Sequence, residues 1–307
     1  MTSAPQMKAR DWGMIAILAA VWGGSFLFIE LGLTGFGPLT LVFLRMALAI
    51  PPMLLVLGWL GLKLPTDAPS WLHLTALGFL NIAFPMALFF WAQTRIDSGL
   101  ASILNATVPL WGVLLTHFFT DDERATPSKL TGLLMGFAGL VLVIGPAALG
   151  GFGDDLVAQL ACLLATFCFA AAVIYARKLG TSIAPMSAAT GQIITGAVLL
   201  APFPLLFEAP FAAAPPSATA IFALLMLAFA GTSFAYFIFF RLIDSAGANN
   251  AMLIALVMPP VALVLGVVVL GERLTSAHVG GMALILAGLA IIDGRIIARL
   301  APRASVP

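Results

Sequence analysis

Few side chains in this sequence could do chemistry, and most of them are polar residues standing inside long apolar runs. Asn81, Asn105, Gln192, Ser233, Tyr236 and Asn250 each sit among Leu, Ile, Val, Phe and Ala. Polar groups so placed turn towards a bundle interior or a cavity, because lipid offers them no partner. Their chemistry is binding, since amides and hydroxyls donate and accept hydrogen bonds without carrying charge. Interhelical bonding is the competing role for each, and headgroup contact for Asn250 at the end of its run. Prolines stand nearby: Pro85 one turn after Asn81, Pro109 one turn after Asn105, and Pro259 with Pro260 in a later run. A mid-helix proline leaves the carbonyl four residues back without its donor. The carbonyls so freed, of Asn105, Ala255 and Leu256, would suit an ammonium group; a packed kink is the plainer alternative.

Only one cation, Arg45, lies well inside a run rather than at its end, and Glu30 lies near the end of another at similar depth. The economical expectation is an ion pair between them. Glu30 as a proton site is the second reading, opposed by its shallow position. Trp22, Phe26 and Phe89 lie deeper than the interfacial Trp12, Trp59 and Trp71, and could wall an apolar pocket as well as pack. Such a pocket suits apolar or aromatic groups; a phosphate would need cations at mid-depth. Nothing points to catalysis. There is no H-E-x-x-H and no G-x-S-x-G, and His73, His117 and His278 stand in separate runs. Cys162 and Cys168 share one helical run about 9 Å apart along its axis, too far for a disulfide. The sequence therefore calls for no catalytic residue, no metal, no cofactor and no enzyme activity.

The elements that must position these groups follow from composition. The 307-residue chain is 62% hydrophobic and 9% charged, with mean hydropathy +1.10, against roughly 45–50% apolar in soluble domains. Its net charge of +1 provides no basic face for nucleic acid. Apolar runs near 20 residues recur at about 13–32, 38–60, 71–93, 98–119, 127–145, 155–177, 186–206, 218–240, 247–270 and 276–293, each long enough to cross a hydrocarbon core. The expected fold is an all-α membrane protein of ten transmembrane helices. The first run lacks a small-x-small cleavage site, so it reads as a span and not a removed signal.

Short loops carry the orientation. With the N-terminus in the cytoplasm, Lys8, Arg10, Lys63, Arg124, Lys129, Arg177, Lys178, Arg241, Arg295, Arg299 and Arg303 fall inside, against Arg95 and Arg273 outside. Both termini are expected in the cytoplasm. A repeat accompanies this arrangement. "DDERATPSKLTGLLMGFAGLVLVIG" (121–145) and "LGERLTSAHVGGMALILAGLAIIDG" (270–294) align at a shift of 149, placing Glu123 on Glu272, Gly132 on Gly281 and Gly139 on Gly288. Upstream, a shift of 147 places Asp97 on Asp244 and Ser98 on Ser245. Five spans per half is odd, so the second copy enters the membrane from the opposite side. The expectation is two inverted five-helix repeats, 1–148 and 149–307, able to rock about an axis in the membrane plane. Glu123 and Arg124 read as a solvated loop cap. The glycines of the fifth and tenth spans read as close-packing contacts outside the substrate path.

The chain resembles the drug/metabolite transporter superfamily in its EamA-type branch of paired five-helix halves. The resemblance rests on "VWGGSFLFIE" (21–30), "LRMALA" (44–49), "SGLASILNATVPLWG" (98–112) and the two Glu-Arg-x-Thr glycine runs. It implies an exporter with a pocket between the halves, most similar within the superfamily to bacterial exporters of aromatic amino acids. The expected site is Trp22, Phe26, Asn81, Phe89, Asn105, Gln192, Ser233, Tyr236 and Asn250, centred on the third, fourth, eighth and ninth helices. The implied partners are a small amino-acid substrate and the lipid bilayer of a bacterial inner membrane. No nucleic acid and no obligate protein partner is implied. Export of drugs or other small metabolites is the alternative.

Overall fold

In lipid, every backbone N–H and C=O must be satisfied within the chain, which leaves helices as the spanning element for a sequence with no alternating strand pattern. The computed structural model describes residues 7–119, 127–144, 154–179, 183–208, 215–251 and 253–293. Among these every regular element is helical. In chain order they are α1 (Ala9–Leu33), α2 (Pro38–Trp59), α3 (Ala68–Ala92), α4 (Ser98–Phe119), α5 (Pro127–Ile144), α6 (Asp154–Leu179), α7 (Pro185–Phe207), α8 (Ala218–Ala246), α9 (248–270) and α10 (Ser276–Asp293). Seven are long and apolar enough to cross a membrane, and the apolar parts of α5, α9 and α10 are shorter. Local chemistry sets several starts. Pro38 and Pro185 occupy the first turn, where the missing N–H costs nothing. Asp67 and Ser217 cap α3 and α8 by accepting from the backbone N–H of Ser70 and Ala220.

Contacts at the helix ends show the alternation of direction. The start of α1 meets the end of α8 through Ser245, whose hydroxyl donates to Asp11 (2.8 Å). His73 at the start of α3 meets Tyr175 late in α6 (2.9 Å). At the opposite end, Glu208 after α7 accepts from Leu39 N and Thr40 N at the start of α2 (both 2.7 Å). Glu272, just before α10, accepts from Ser98 N and Gly99 N at the start of α4 (both 2.9 Å).

The two-fold relation of the halves is visible where α5 packs on α10. A Cβ on Gly132 would stand 2.5 Å from the Gly288 carbonyl, and one on Gly139 2.6 Å from that of Gly281. Only hydrogen fits at either place. Under the 149-residue shift Gly132 corresponds to Gly281 and Gly139 to Gly288. The contact Gly132–Gly288 therefore maps onto Gly281–Gly139, and the surface pairs with itself. Such self-complementary contact is the signature of a two-fold axis, and the opposed order of the pairs makes the helices antiparallel. The inverted repeat is thus built into the packing. The boundary at 148/149, and Glu123 with Arg124, lie outside the described residues.

Candidate functional site

Of three π-helical stretches among the described residues, the one at the end of α9 is Gly266–Leu270 and the other two stand at matched places. In α3 the stretch Gly78–Ala83 is π-helical, and in α8 so is Met226–Phe234; a shift of 148 carries Gly78 onto Met226. The amide of Phe84 reaches back to Phe79 O and that of Ala235 to Ala230 O, five residues each. An extra residue in a turn displaces carbonyls from their usual donors, and π-bulges of this kind gather at functional sites. In α8 side chains fill the deficit: Thr232 Oγ1 donates to Leu227 O (3.0 Å) and Ser233 Oγ contacts Ala228 O and Ala49 O (both 3.2 Å). Pro85 sits in the first turn of helix beyond the α3 bulge, where its missing N–H is tolerated.

The bulge of α8 is the point on which α1 and α2 converge. Trp22 Nε1 donates to Gly231 O (3.1 Å), and Arg45 donates through Nε to Thr232 Oγ1 (3.1 Å) and through Nη2 to Gly231 O (3.4 Å). Gly231 permits this approach, because a Cβ there would meet Ser25 Oγ at 3.0 Å. Aromatic rings enclose the polar centre. Trp22 stands edge-on to Tyr236 (6.4 Å between centroids) and beside Phe239 (5.4 Å). The Arg45 guanidinium lies over the Phe90 ring at 5.8 Å. Phe26 meets Phe89 edge-on, and Phe89 stacks on Phe169 of α6. Arg45 is 5% exposed, whereas Trp22 and Tyr236 are half-buried.

The remaining expected residues fall in three other places. Asn81 Nδ2 donates to Gln192 Oε1 (3.0 Å), joining the bulge of α3 to α7. Asn105 ends the first segment of α4, before the helix restarts at Val108. Pro109 accounts for that break, and Thr107 Oγ1 covers the Leu104 carbonyl at 2.7 Å. Asn250 Nδ2 donates to Ala246 O (2.7 Å) across the turn from α8 to α9. The expected site is centred on α3, α4, α8 and α9; polar and aromatic contacts among its residues gather where α1, α2, α3 and α8 meet.

Two expectations are corrected. Glu30 and Arg45 do not pair: the Arg45 donors go to α8, and Glu30 Oε2 is buried with no hydrogen-bond partner. Equal depth does not fix the direction a side chain takes around its helix, and Arg45 points at the carbonyls that the bulge exposes. Pro259 and Pro260 do not break α9, for both lie inside the continuous segment Ile254–Leu265. The restart at Ile254 matches that of α4 near Val108 within about one residue at the 147 shift.

Gly231, Thr232 and Gln93 also meet these helices, without being among the residues expected from the sequence, and Glu272 is expected only as part of the repeat. Gln93 is 4% exposed, donates to Phe26 O (3.0 Å) and leaves its own Oε1 unpartnered. "GTS" (231–233) in the middle of an apolar run was the available signal for the bulge. Glu272 sits in the repeated motif, yet it caps α4 in the other half and not the helix that follows it.

The EamA-like transporter family matches this chain twice, over residues 11–145 and 156–293. The chain belongs to that family. Relatives align nearly end to end with this EamA-like transporter. The "Probable amino-acid metabolite efflux pump" of Salmonella typhimurium is 29% identical over 293 residues, 93% of this chain and 95% of that one. The "Probable terminal-alkyne amino-acid exporter" of Streptantibioticus cattleyicolor is 28% identical over 301 residues, 96% of each chain. An "Uncharacterized transporter" of Archaeoglobus fulgidus is 25% identical over 284 residues, 92% of this chain and 98% of its own. A solved structure shares the fold at TM-score 0.68 and 20% identity, covering 95% of this chain and 100% of that one. The EamA-like chain is a multi-pass membrane transporter, in line with the absence of a catalytic motif from its sequence.

Proposed function

We propose that this transporter exports neutral amino acids with apolar or aromatic side chains (Phe, Trp, Tyr or Met-like) by alternating access between its two halves. One observation carries the reading: Trp22 and Arg45 converge on the bulged turn of α8 inside a ring of aromatic side chains. Hydrogen-bonding groups there suit the ends of an amino acid, and the rings of Trp22, Phe90 and Tyr236 suit its side chain. The names of two relatives agree with export of amino acids or their metabolites. The bias of Lys and Arg supports a cytoplasmic end where α1 begins; a bacterial inner membrane and repeats at 1–148 and 149–307 complete the proposal.

Purified protein in liposomes tests the reading with labelled Phe, glutamate, a sugar phosphate and a lipophilic cation. Phe is expected to move, and glutamate and the sugar phosphate are not. Movement of the phosphate, or of the cation while Phe stays, refutes the substrate class and, for the cation, favours drug export. Tyr236→Ala is expected to lower Phe transport while folded yield is unchanged.

A further inference from the structure

A buried guanidinium is costly in the interior of a membrane protein, and chains that keep one give it a partner. Arg45 has five N–H donors. The protein takes two of them, with the neutral acceptors Thr232 Oγ1 and Gly231 O, and among the described residues no carboxylate pairs with it. The other half shows that the fold itself does not need this charge. A shift of 147 carries Pro38 at the start of α2 onto Pro185 at the start of α7, and Arg45 onto Gln192. Gln192 faces the bulge of α3 as Arg45 faces the bulge of α8, but it is neutral and is satisfied by Asn81 (3.0 Å). Matched positions in two similar packings thus hold a hydrogen-bonded neutral amide pair and a cation with no carboxylate partner among the described residues.

Around the cation the surroundings are those of a binding site. Phe90 covers one face of the guanidinium, Tyr236 and Trp22 are half-buried beside the same bulge, and Ser25 lies against Gly231. A planar guanidinium presents its donors as a fork that fits a carboxylate, and aromatic walls exclude the water that would weaken the contact.

We infer that Arg45 is the anchor for the carboxylate of the transported molecule, so that the chain recognises small monocarboxylates with an apolar body and the amino group is secondary. This rests on the site proposed above and names its recognition chemistry. Thr232 then acts as a positioning residue that holds Nε and turns the free edge of the fork away from α8.

Three probes separate the groups: phenylalanine, 3-phenylpropionate, which keeps only the carboxylate, and phenethylamine, which keeps only the ammonium. Each is titrated onto purified full-length protein and read by the shift of the thermal unfolding midpoint. The wild type is expected to bind 3-phenylpropionate at least about tenfold more tightly than phenethylamine, the order of a charge-assisted hydrogen bond. Arg45→Gln, which copies the other half, is expected to abolish that preference and leave phenethylamine binding unchanged. Arg45→Lys is expected to keep the preference with weaker carboxylate binding. If Arg45→Gln does not fold, Arg45→Lys decides: equal loss for both probes, or no loss for either, overturns the anchor. No preference in the wild type, or a preference that persists in Arg45→Gln, overturns it too. Phe transport in liposomes separates this from the amino-acid reading. Arg45-dependent binding of 3-phenylpropionate with no Phe transport leaves the anchor and refutes the amino acid. Phe transport with an unchanged carboxylate preference in Arg45→Gln does the reverse.

Discussion

Replacing Glu272 by Ala removes the acceptor of three hydrogen bonds at the first turn of α4, from Ser98 N, Ser98 Oγ and Gly99 N. Ser98 and Gly99 are buried, so water does not take over at no cost. Loss of an N-cap costs about 0.5–2 kcal/mol, and loss of an anion from a helix N-terminus about 0.3–1 kcal/mol. Together they come to about 1–3 kcal/mol, a factor of roughly 5–150 in an equilibrium. Glu272 belongs to the second half and α4 to the first, so the contact is a clasp between the units that the proposed alternating access would separate. Its loss is expected to favour the state in which this end is open. Ser102, one turn into α4 and fully buried, reports on the change when replaced by Cys in a chain with Cys162 and Cys168 changed to Ala. Maleimide labelling of that cysteine is expected to quicken by up to the same factor in Glu272→Ala. Asp67→Ala, which uncaps α3 within its own half, is the control and should leave the rate as it was. An unchanged rate in Glu272→Ala at equal folded yield refutes the clasp, and so does an equal gain in the control.

Two further outcomes test the architecture. Gly132→Leu should drive α5 and α10 apart, since a Cβ there already meets the Gly288 carbonyl at 2.5 Å; overpacking of this kind costs about 1–3 kcal/mol and should lower the melting midpoint, whereas Gly13→Leu, with nothing within 4 Å, should not. Reporter fusions after residues 65 and 303 should read cytoplasm and one after residue 150 the outside; the same side for 150 and 303 would remove the five-plus-five inversion.

Period, length and charge are local properties of the chain, and what depends on them was legible without a structure. The ten apolar runs, the odd number per repeat and the glycines at 132, 139, 281 and 288 give the all-helical inverted fold, because lipid forbids other spanning backbones and a close helix crossing forbids side chains. Pro109 announced the break in α4 for the same kind of reason, a missing donor. The candidate site was only partly legible. Trp22, Phe26, Phe89, Ser233 and Tyr236 stand out as polar or aromatic residues in apolar runs, but the run does not say which way each side chain points. Depth suggested Glu30 for Arg45; the direction of Arg45 around α2, and the carbonyls bared by a bulge 186 residues away in α8, decided otherwise. Pro259 and Pro260 looked like a break and were absorbed into a helix. Glu272 carries only the repeat motif in the sequence and closes α4 across the interface. For Arg45 and Glu272 the deciding partner comes from the other half of the chain, where only the packing of one half against the other can bring it.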